Sequence, residues 1–374
     1  MSLMIPAGPA SARSLTGVLP DVVAALTGGE SPLRPATSAV VFVVDGLGAL
    51  QLRAHAGHAR MLAPRMGKKD VGRSVFPSTT AAALTSLLTG EWPGQHGLMG
   101  YSVLDPTRGV LINQLSGWEN EGIDPETWQR VPTVFERFAA LRSFAVGLPA
   151  YAASGFTRAI LRGAEYVAAE SPAERVSVAL EFAGRHPGTL VYCYFPELDK
   201  AGHKHGVASD EWVSALEGID AALGAAKIPD RVGALVTADH GMIDVPRHRH
   251  VLLTDEDPRL EGVAHIGGEP RLLHIYLDEG EDAAGAALRW ETVSGATADV
   301  ATRSAAVAAG IFGPDVDDEV LPRIGDVLVA ARGTWAFYDD RLTDKRPQLM
   351  VGQHGSTSPE ETVVPLLRLG AFAA

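Results

Sequence analysis

Residues 39–44, AVVFVV, form an unbroken apolar, β-branched run closed by Asp45-Gly46. A strand with one wet face alternates apolar and polar residues, so a run without alternation fits a strand covered on both faces. Comparable runs return as SFAVGL from Ser143, TLVYCYF from Thr189 and GALVTAD from Gly233. Between them the spacing predicts helices over Pro132–Leu141, Pro172–Gly184 and Ser209–Ala225. In the last, Trp212, Val213, Leu216, Ile219 and Leu223 share one face, and Ser209 suits the N-cap. Buried strands alternating with helices imply an α/β fold, with a mainly parallel central sheet and helices on both faces. Ligands of such sheets collect beyond the carboxyl ends of the strands.

From about Asp244 to Lys345 the rhythm changes. Histidine- and glycine-rich loops (PRHRHV, AHIGGEPR) surround a strand LLHIYL, an alanine-rich helix near Ala301–Ala309 and a strand DVLVAA. This stretch reads as a small α+β cap inserted into a principal α/β domain of residues 1–243 and 346–374. The run PQLMVGQHGSTSPEETVVPLLRL reads as the return to the main sheet.

At 374 residues and 46% apolar content the chain can fill a large core. Its net charge of −13, with no basic stripe, excludes an electrostatic grip on long nucleic acid and leaves small phosphorylated ligands open. One cysteine, Cys193 in TLVYCYF, rules out an internal disulfide framework and reads as a buried, inert thiol. The first residues lack the basic segment and apolar core of a secretory leader, and no stretch approaches a membrane span. The expectation is a cytoplasmic protein without a membrane partner.

The chemistry gathers at the strand ends. Asp45 follows AVVFVV, Asp239 follows ALVTA, and Asp199 lies just beyond TLVYCYF in Pro-Glu-Leu-Asp. One such aspartate is ordinarily a cap or turn residue; three at equivalent strand ends suggest a site. Histidines accompany them. Asp199 and His203 are four apart, a spacing that points an oxygen and an imidazole at one centre. Asp239-His240 can do so only where the chain leaves the strand, a turn that Gly241 permits. His354 lies between glycines, as a loop ligand would. Mixed carboxylate and imidazole donors favour zinc, with manganese or iron as substitutes. Six donors are too many for one tetrahedral ion and enough for two.

The segment FPSTTAAALTSLLTGEWPG, residues 76–94, sets two threonines before a helix predicted over Ala81–Leu88. Free N–H groups of a first helical turn attract an anion such as phosphate. A threonine hydroxyl is a poor nucleophile unless a cation lowers the cost of removing its proton. On this segment alone, an ordinary N-cap at Ser78 or Thr79, with Thr80 an early helical residue, is the better account.

Taken together, VVDG at Asp45, FPSTT with TSLLTGEWPGQHG, ELDKAGHKHG, TADHGM and GQHGSTSPEETVVPLL resemble the alkaline phosphatase superfamily, in its nucleotide pyrophosphatase/phosphodiesterase-like branch. The resemblance implies that Asp199, His203 and His354 hold one zinc and that Asp45, Asp239 and His240 hold the other. It makes Thr80, ten residues before Gly90, both a metal-facing group and the nucleophile that becomes a phosphothreonine. Where the branch usually carries an asparagine to hold a phosphoryl oxygen, this chain has Tyr101, whose hydroxyl can donate a similar hydrogen bond.

Two Zn²⁺ offset by three aspartates and a Thr80 alkoxide would leave a formally neutral site, suited to a singly charged diester. The implied activity is hydrolysis of phosphodiester or pyrophosphate bonds in a small substrate such as a nucleotide. The alternatives are a phosphomonoesterase or phosphonate hydrolase of the same superfamily, or a degenerate member that binds a nucleotide or phosphate without turnover. His205, His248 and His250 are assigned to the surroundings of the site. Lys204 and Arg73 read as surface charges, and Trp118, Tyr151 and Phe156 as candidates for an aromatic pocket.

Overall fold

The computed structural model describes residues 13–118 and 122–373. Most of the N-terminal stretch in which no leader was read lies outside the described residues. An eight-stranded sheet forms the centre of the fold. Across it the strands run Arg13–Ser14, Val71–Arg73, Val363–Gly370, Val232–Thr237, Ser38–Val44, Thr189–Phe195, Arg142–Gly147 and Glu165–Ala168. Every pairing is parallel except the two made by Val363–Gly370, which is antiparallel to both neighbours. The sheet is therefore mostly parallel, flanked by helices, and the C-terminal segment does return to it.

The three central strands are buried almost throughout because layers cover both faces. Their register places the site. Val43 pairs with Tyr194 on one side and Thr237 on the other, and Val44 pairs with Phe195. The three strands therefore end at one level, and the residues that follow them meet beyond a common edge.

Helices cover Pro172–Arg185 and Asp210–Ala225, with Ser171 and Ser209 as N-caps. The helix predicted over Pro132–Leu141 is a single turn, Val134–Arg137. Thr133 and Glu136 close a capping box at its start, and Phe138 leaves helical geometry at φ −116°, its ring 39% exposed with too little apolar surface beyond to hold a second turn.

Residues 263–331 carry a four-stranded antiparallel sheet in the order Val263–Glu269, Leu272–Leu277, Val327–Ala331 and Ala298–Thr302. Its side chains part by the twofold period of a strand. Leu273, Ile275, Val327 and Val329 pack with Trp290 of helix Ala283–Ser294 in a core of their own, whereas Leu272, Leu328 and Ala330 join the main core. The helix expected near Ala301–Ala309 covers only Arg303–Ala308. Ala301 belongs to the strand that pairs with Val327–Ala331, and Thr302 caps the helix by accepting from the Ala305 N–H. No helix among the described residues is long and apolar enough to cross a membrane.

Candidate metal and nucleophile site

Asp45 follows directly on the Ser38–Val44 strand, its N–H donating to the Phe195 carbonyl at 3.0 Å. Gly46 comes next with φ +74°, and a Cβ there would lie 3.1 Å from the Asp199 Cα. Only glycine allows the two strand ends to approach so closely. Asp199 lies in the first turn of helix Glu197–His205, and His203 lies one turn later on the same face. Asp239 and His240 lie beyond Thr237, the last residue of their strand. Gly241 serves this turn through close approach: a Cβ there would sit 2.0 Å from the Glu360 carbonyl oxygen.

The six predicted ligands come together. Asp199, His203 and His354 offer donor atoms within 4.8 Å of one another, and so do Asp45, Asp199 and His240. Asp199 thus lies between the two groups, where the sequence reading gave it to one. His354 Nε2 is 3.2 Å from His203 Nε2, and the His354 ring stacks on that of His240 with centroids 3.6 Å apart. His240 Nε2 lies 3.4 Å from Asp45 Oδ1 and 3.3 Å from Asp239 Oδ2.

Each imidazole is held from behind. The Nδ1 atoms of His203, His240 and His354 sit 2.8, 3.0 and 3.0 Å from the carbonyls of Gly352, Gly241 and Ser78. A carbonyl only accepts, so each Nδ1 carries the proton and each Nε2 presents a lone pair to the centre.

Electrostatics make the same point. Asp45 Oδ1, Asp199 Oδ1 and Asp239 Oδ2 are buried without a hydrogen-bond partner. Burial, then Asp239 and Asp199, push the Asp45 carboxyl well above the usual range, and burial also raises Asp239. Burial, then His240 and His203, hold His354 well below the ordinary histidine value. Unpaired carboxylate oxygens crowded beside imidazole nitrogens are a poor arrangement by themselves and a suitable one for divalent cations, which would remove the repulsion among the carboxylates. The donor set fits zinc.

Thr79 and Thr80 divide the two roles left open by the sequence. Thr79 is the N-cap, φ −125°, and its Oγ1 accepts from the Ala82 N–H; Thr80 is the first residue of helix Thr80–Thr89, which ends at Gly90 with φ 72°. Thr80 Oγ1 is 3.1 Å from His240 Nε2. The Ala82 and Ala83 N–H groups are taken by Thr79, leaving those of Thr80 and Ala81 without an intrahelical acceptor.

Beside these residues opens a cavity of about 460 Å³, lined by Thr80, Tyr101, Asp199, His203 and His354 together with apolar residues such as Leu111 and Phe337. No lysine or arginine is among its lining residues. Tyr101 is 45% exposed at its edge. Trp118, Tyr151 and Phe156 do not line it. Trp118 is fully buried against Gly155 and Phe156 packs on the main core, so the aromatic residues of the cavity are Tyr101, Phe337 and Tyr338. His205 pairs with Glu211 at 3.6 Å, His250 packs on Tyr338, and His248 is exposed. Lys204 is exposed and Arg73 is half-buried in the strand between Arg13–Ser14 and Val363–Gly370; neither lines the cavity.

The sequence reading missed two groups. The Tyr194 hydroxyl donates to Asp45 Oδ2; its signal was a polar tip in TLVYCYF at the level of Val43, two residues before Asp45. Arg271, wholly buried, forms a two-pronged pair with Glu361, with contacts of 2.8 Å to each carboxylate oxygen, and Glu361 also accepts from the Ser356 N–H at 3.0 Å. The pair ties the loop that carries His354 to the four-stranded sheet.

A family model described as type I phosphodiesterase / nucleotide pyrophosphatase matches residues 39–357. The rat ectonucleotide pyrophosphatase/phosphodiesterase family member 3 is 24% identical over 281 residues, 68% of this chain and 31% of that protein. The yeast ectonucleotide pyrophosphatase/phosphodiesterase 1 is 23% identical over 248 residues, 54% of this chain and 33% of that protein. The chain thus spans a third or less of these relatives' length. Among solved structures, murine ectonucleotide pyrophosphatase/phosphodiesterase 5, an inactive form in complex with AMP, superposes with TM-score 0.66 at 20% identity, covering 89% of this chain and 88% of the other. Phosphonoacetate hydrolase from Sinorhizobium meliloti, in complex with phosphonoformate, gives 0.65 at 18% identity over 90% and 91%.

Proposed function

The chain belongs to the type I phosphodiesterase / nucleotide pyrophosphatase family, and from that premise we propose that it is a two-zinc hydrolase of phosphodiester or pyrophosphate bonds that works through Thr80. The observation that carries this reading is the convergence of three Nε2 lone pairs and three unpaired carboxylate oxygens around one threonine hydroxyl.

Asp199, His203 and His354 would hold one ion, and Asp45, Asp239 and His240 the other, with Asp199 close to both. When bound, such ions supply charge that lowers the cost of deprotonating an alcohol and that offsets the anion of the substrate. The chain's own residues do the rest. The helix holds Thr80 Oγ1 at the floor of the cavity, and the free N–H groups of Thr80 and Ala81 favour a phosphoryl oxygen there. Attack by Thr80 Oγ1 forms an O–P bond as the bond to the leaving oxygen breaks, giving a phosphothreonine and an alcohol. Water then attacks the phosphorus, the Oγ1–P bond breaks, and the hydroxyl is restored.

A cavity without lysine or arginine favours a singly charged diester over a monoester or phosphonate dianion, which would call for an added cation. The nucleotide class finds support in the AMP complex of the murine relative. Hydrolysis of bis-p-nitrophenyl phosphate and of p-nitrophenyl phosphate, with and without zinc, tests the reading. Faster zinc-dependent release from the diester is expected. Preference for the monoester would reassign the class, and no turnover of either by zinc-loaded protein would leave a phosphate-binding protein instead.

A further inference from the structure

Outside the proposed ligands, Glu269 has no role in the site as read so far. It ends the Val263–Glu269 strand, is 8% exposed, and lines the same cavity as Thr80 and His354. Its side chain lies against Gly355, the residue after His354: a Cβ on that glycine would meet the Glu269 Cγ at 2.7 Å. One carboxyl oxygen, Oε2, accepts from the Tyr101 N–H at 2.9 Å. The other, Oε1, is buried with no partner.

We infer that Glu269 is a substrate-contacting residue, holding its proton on Oε1 and donating it in a hydrogen bond to an acceptor oxygen of the phosphoester. The inference rests on the reading of the site as a phosphoester hydrolase. The surroundings decide the protonation state. A buried carboxylate needs a cation or several donors, and this one has a single backbone N–H. The guanidinium two residues on, Arg271, is bound to Glu361, which adds like charge, and the other titratable groups lining the cavity are Tyr101, Asp199, His203, Tyr338, Asp339, Asp344 and His354, none of them a lysine or arginine. Burial accordingly pushes the Glu269 carboxyl well above its ordinary value. A proton carried on Oε1 finds no acceptor among the described residues, and Glu269 lines a cavity whose lining residues include no lysine or arginine, so a phosphoryl oxygen entering there is the acceptor we assign to it.

The test compares Glu269→Gln with Glu269→Leu in zinc-loaded protein. Gln keeps a donor and can still accept from the Tyr101 N–H, whereas Leu removes both. Two quantities are read: binding of inorganic phosphate by calorimetry and kcat/KM for bis-p-nitrophenyl phosphate. Glu269→Leu should lose about tenfold to a hundredfold in both with zinc content unchanged, and Glu269→Gln should stay within about threefold of the native protein. Where leucine disturbs the fold, Glu269→Ala removes the same donor. If Gln loses as much as Leu, the group acts as an ionised acceptor and the inference fails; it also fails if Leu loses nothing, or only together with zinc. Glu269-dependent phosphate binding without turnover of any ester would uphold the inference while sinking the hydrolase reading. Turnover indifferent to both variants would do the reverse.

Discussion

Thr80 Oγ1 and His240 Nε2 lie 3.1 Å apart, although 160 residues separate them in the chain. The contact looks like a hydroxyl paired with a histidine base, but the chemistry of the ring says otherwise. His240 Nδ1 is fixed on the Gly241 carbonyl, and Nε2 also faces Asp45 and Asp239 across 3.4 and 3.3 Å. Two carboxylates and a hydroxyl around one ring nitrogen fit the cation site proposed above, with three protein ligands apart from Thr80.

Thr80→Ala should therefore remove chemistry without removing metal. The expected result is a fall in turnover of at least about a thousandfold, because no other hydroxyl can take the place of the nucleophile: Ser78 is buried and donates to the Ser356 carbonyl, and Thr79 is occupied as the cap. Zinc content measured by atomic absorption should stay near the native value. Undiminished activity in this variant would exclude Thr80 as nucleophile.

The pH dependence of zinc binding follows from the carboxyls. In the metal-free fold Asp45 and Asp239 keep their protons to higher pH than in the unfolded chain, so the metal-free fold loses stability as pH rises through that window. A cation must displace those protons, so apparent zinc affinity should climb as pH rises above the ordinary carboxyl range. His354 adds nothing over that range, since its folded value is depressed and its proton is already gone. Calorimetry in buffers of different ionisation enthalpy should register protons released on zinc binding at the lower pH; none released would contradict this account.

Tyr194→Phe isolates the support of one ligand. The hydroxyl donates to Asp45 Oδ2, while Asp45 Oδ1 has no partner and faces the site. Removing the donor frees the carboxylate to rotate, and zinc affinity should fall about tenfold to a hundredfold with little change in melting temperature of the metal-free protein. Competition with a chromogenic chelator measures it. Unchanged affinity would mean that packing alone orients Asp45.

The parts legible in the sequence were those with a local signature. Unbroken apolar runs marked the central strands, and an aspartate after each marked their shared edge, because parallel strands in register end at one level. The helical spacing of Asp199 and His203 did the same for their helix. What the sequence could not show was contact set by tertiary packing. Asp199 lies between both ligand groups because Gly46 lets two strand ends meet, and nothing local to Asp199 encodes that. Glu269 looked like one acidic residue in a glycine-rich loop, since its role depends on Gly355 and Tyr101 coming from distant segments. The short helix at Val134–Arg137 was overestimated because an apolar face needs a partner, and Phe138 points outward instead.

Arg271 and Glu361 carry the last expectation. Both side chains are wholly buried, 90 residues apart, joined by two contacts of 2.8 Å, and Glu361 also accepts from the N–H groups of Ser356 and Ser358. The attraction holds Glu361 below the ordinary carboxyl range in spite of its burial. Arg271→Met would leave that carboxylate buried and unpaired, at a cost of about 3–5 kcal/mol in unfolding free energy, whereas breaking an exposed pair costs about 1 kcal/mol or less. Because Ser356 follows His354 by two residues, the same variant should also weaken zinc binding. Adding Glu361→Leu removes the stranded charge and should restore much of the stability measured by urea unfolding, but not the zinc affinity, since the Ser356 N–H stays without its acceptor. If the double variant is as unstable as the single one, the ion pair is not what joins the four-stranded sheet to the His354 loop.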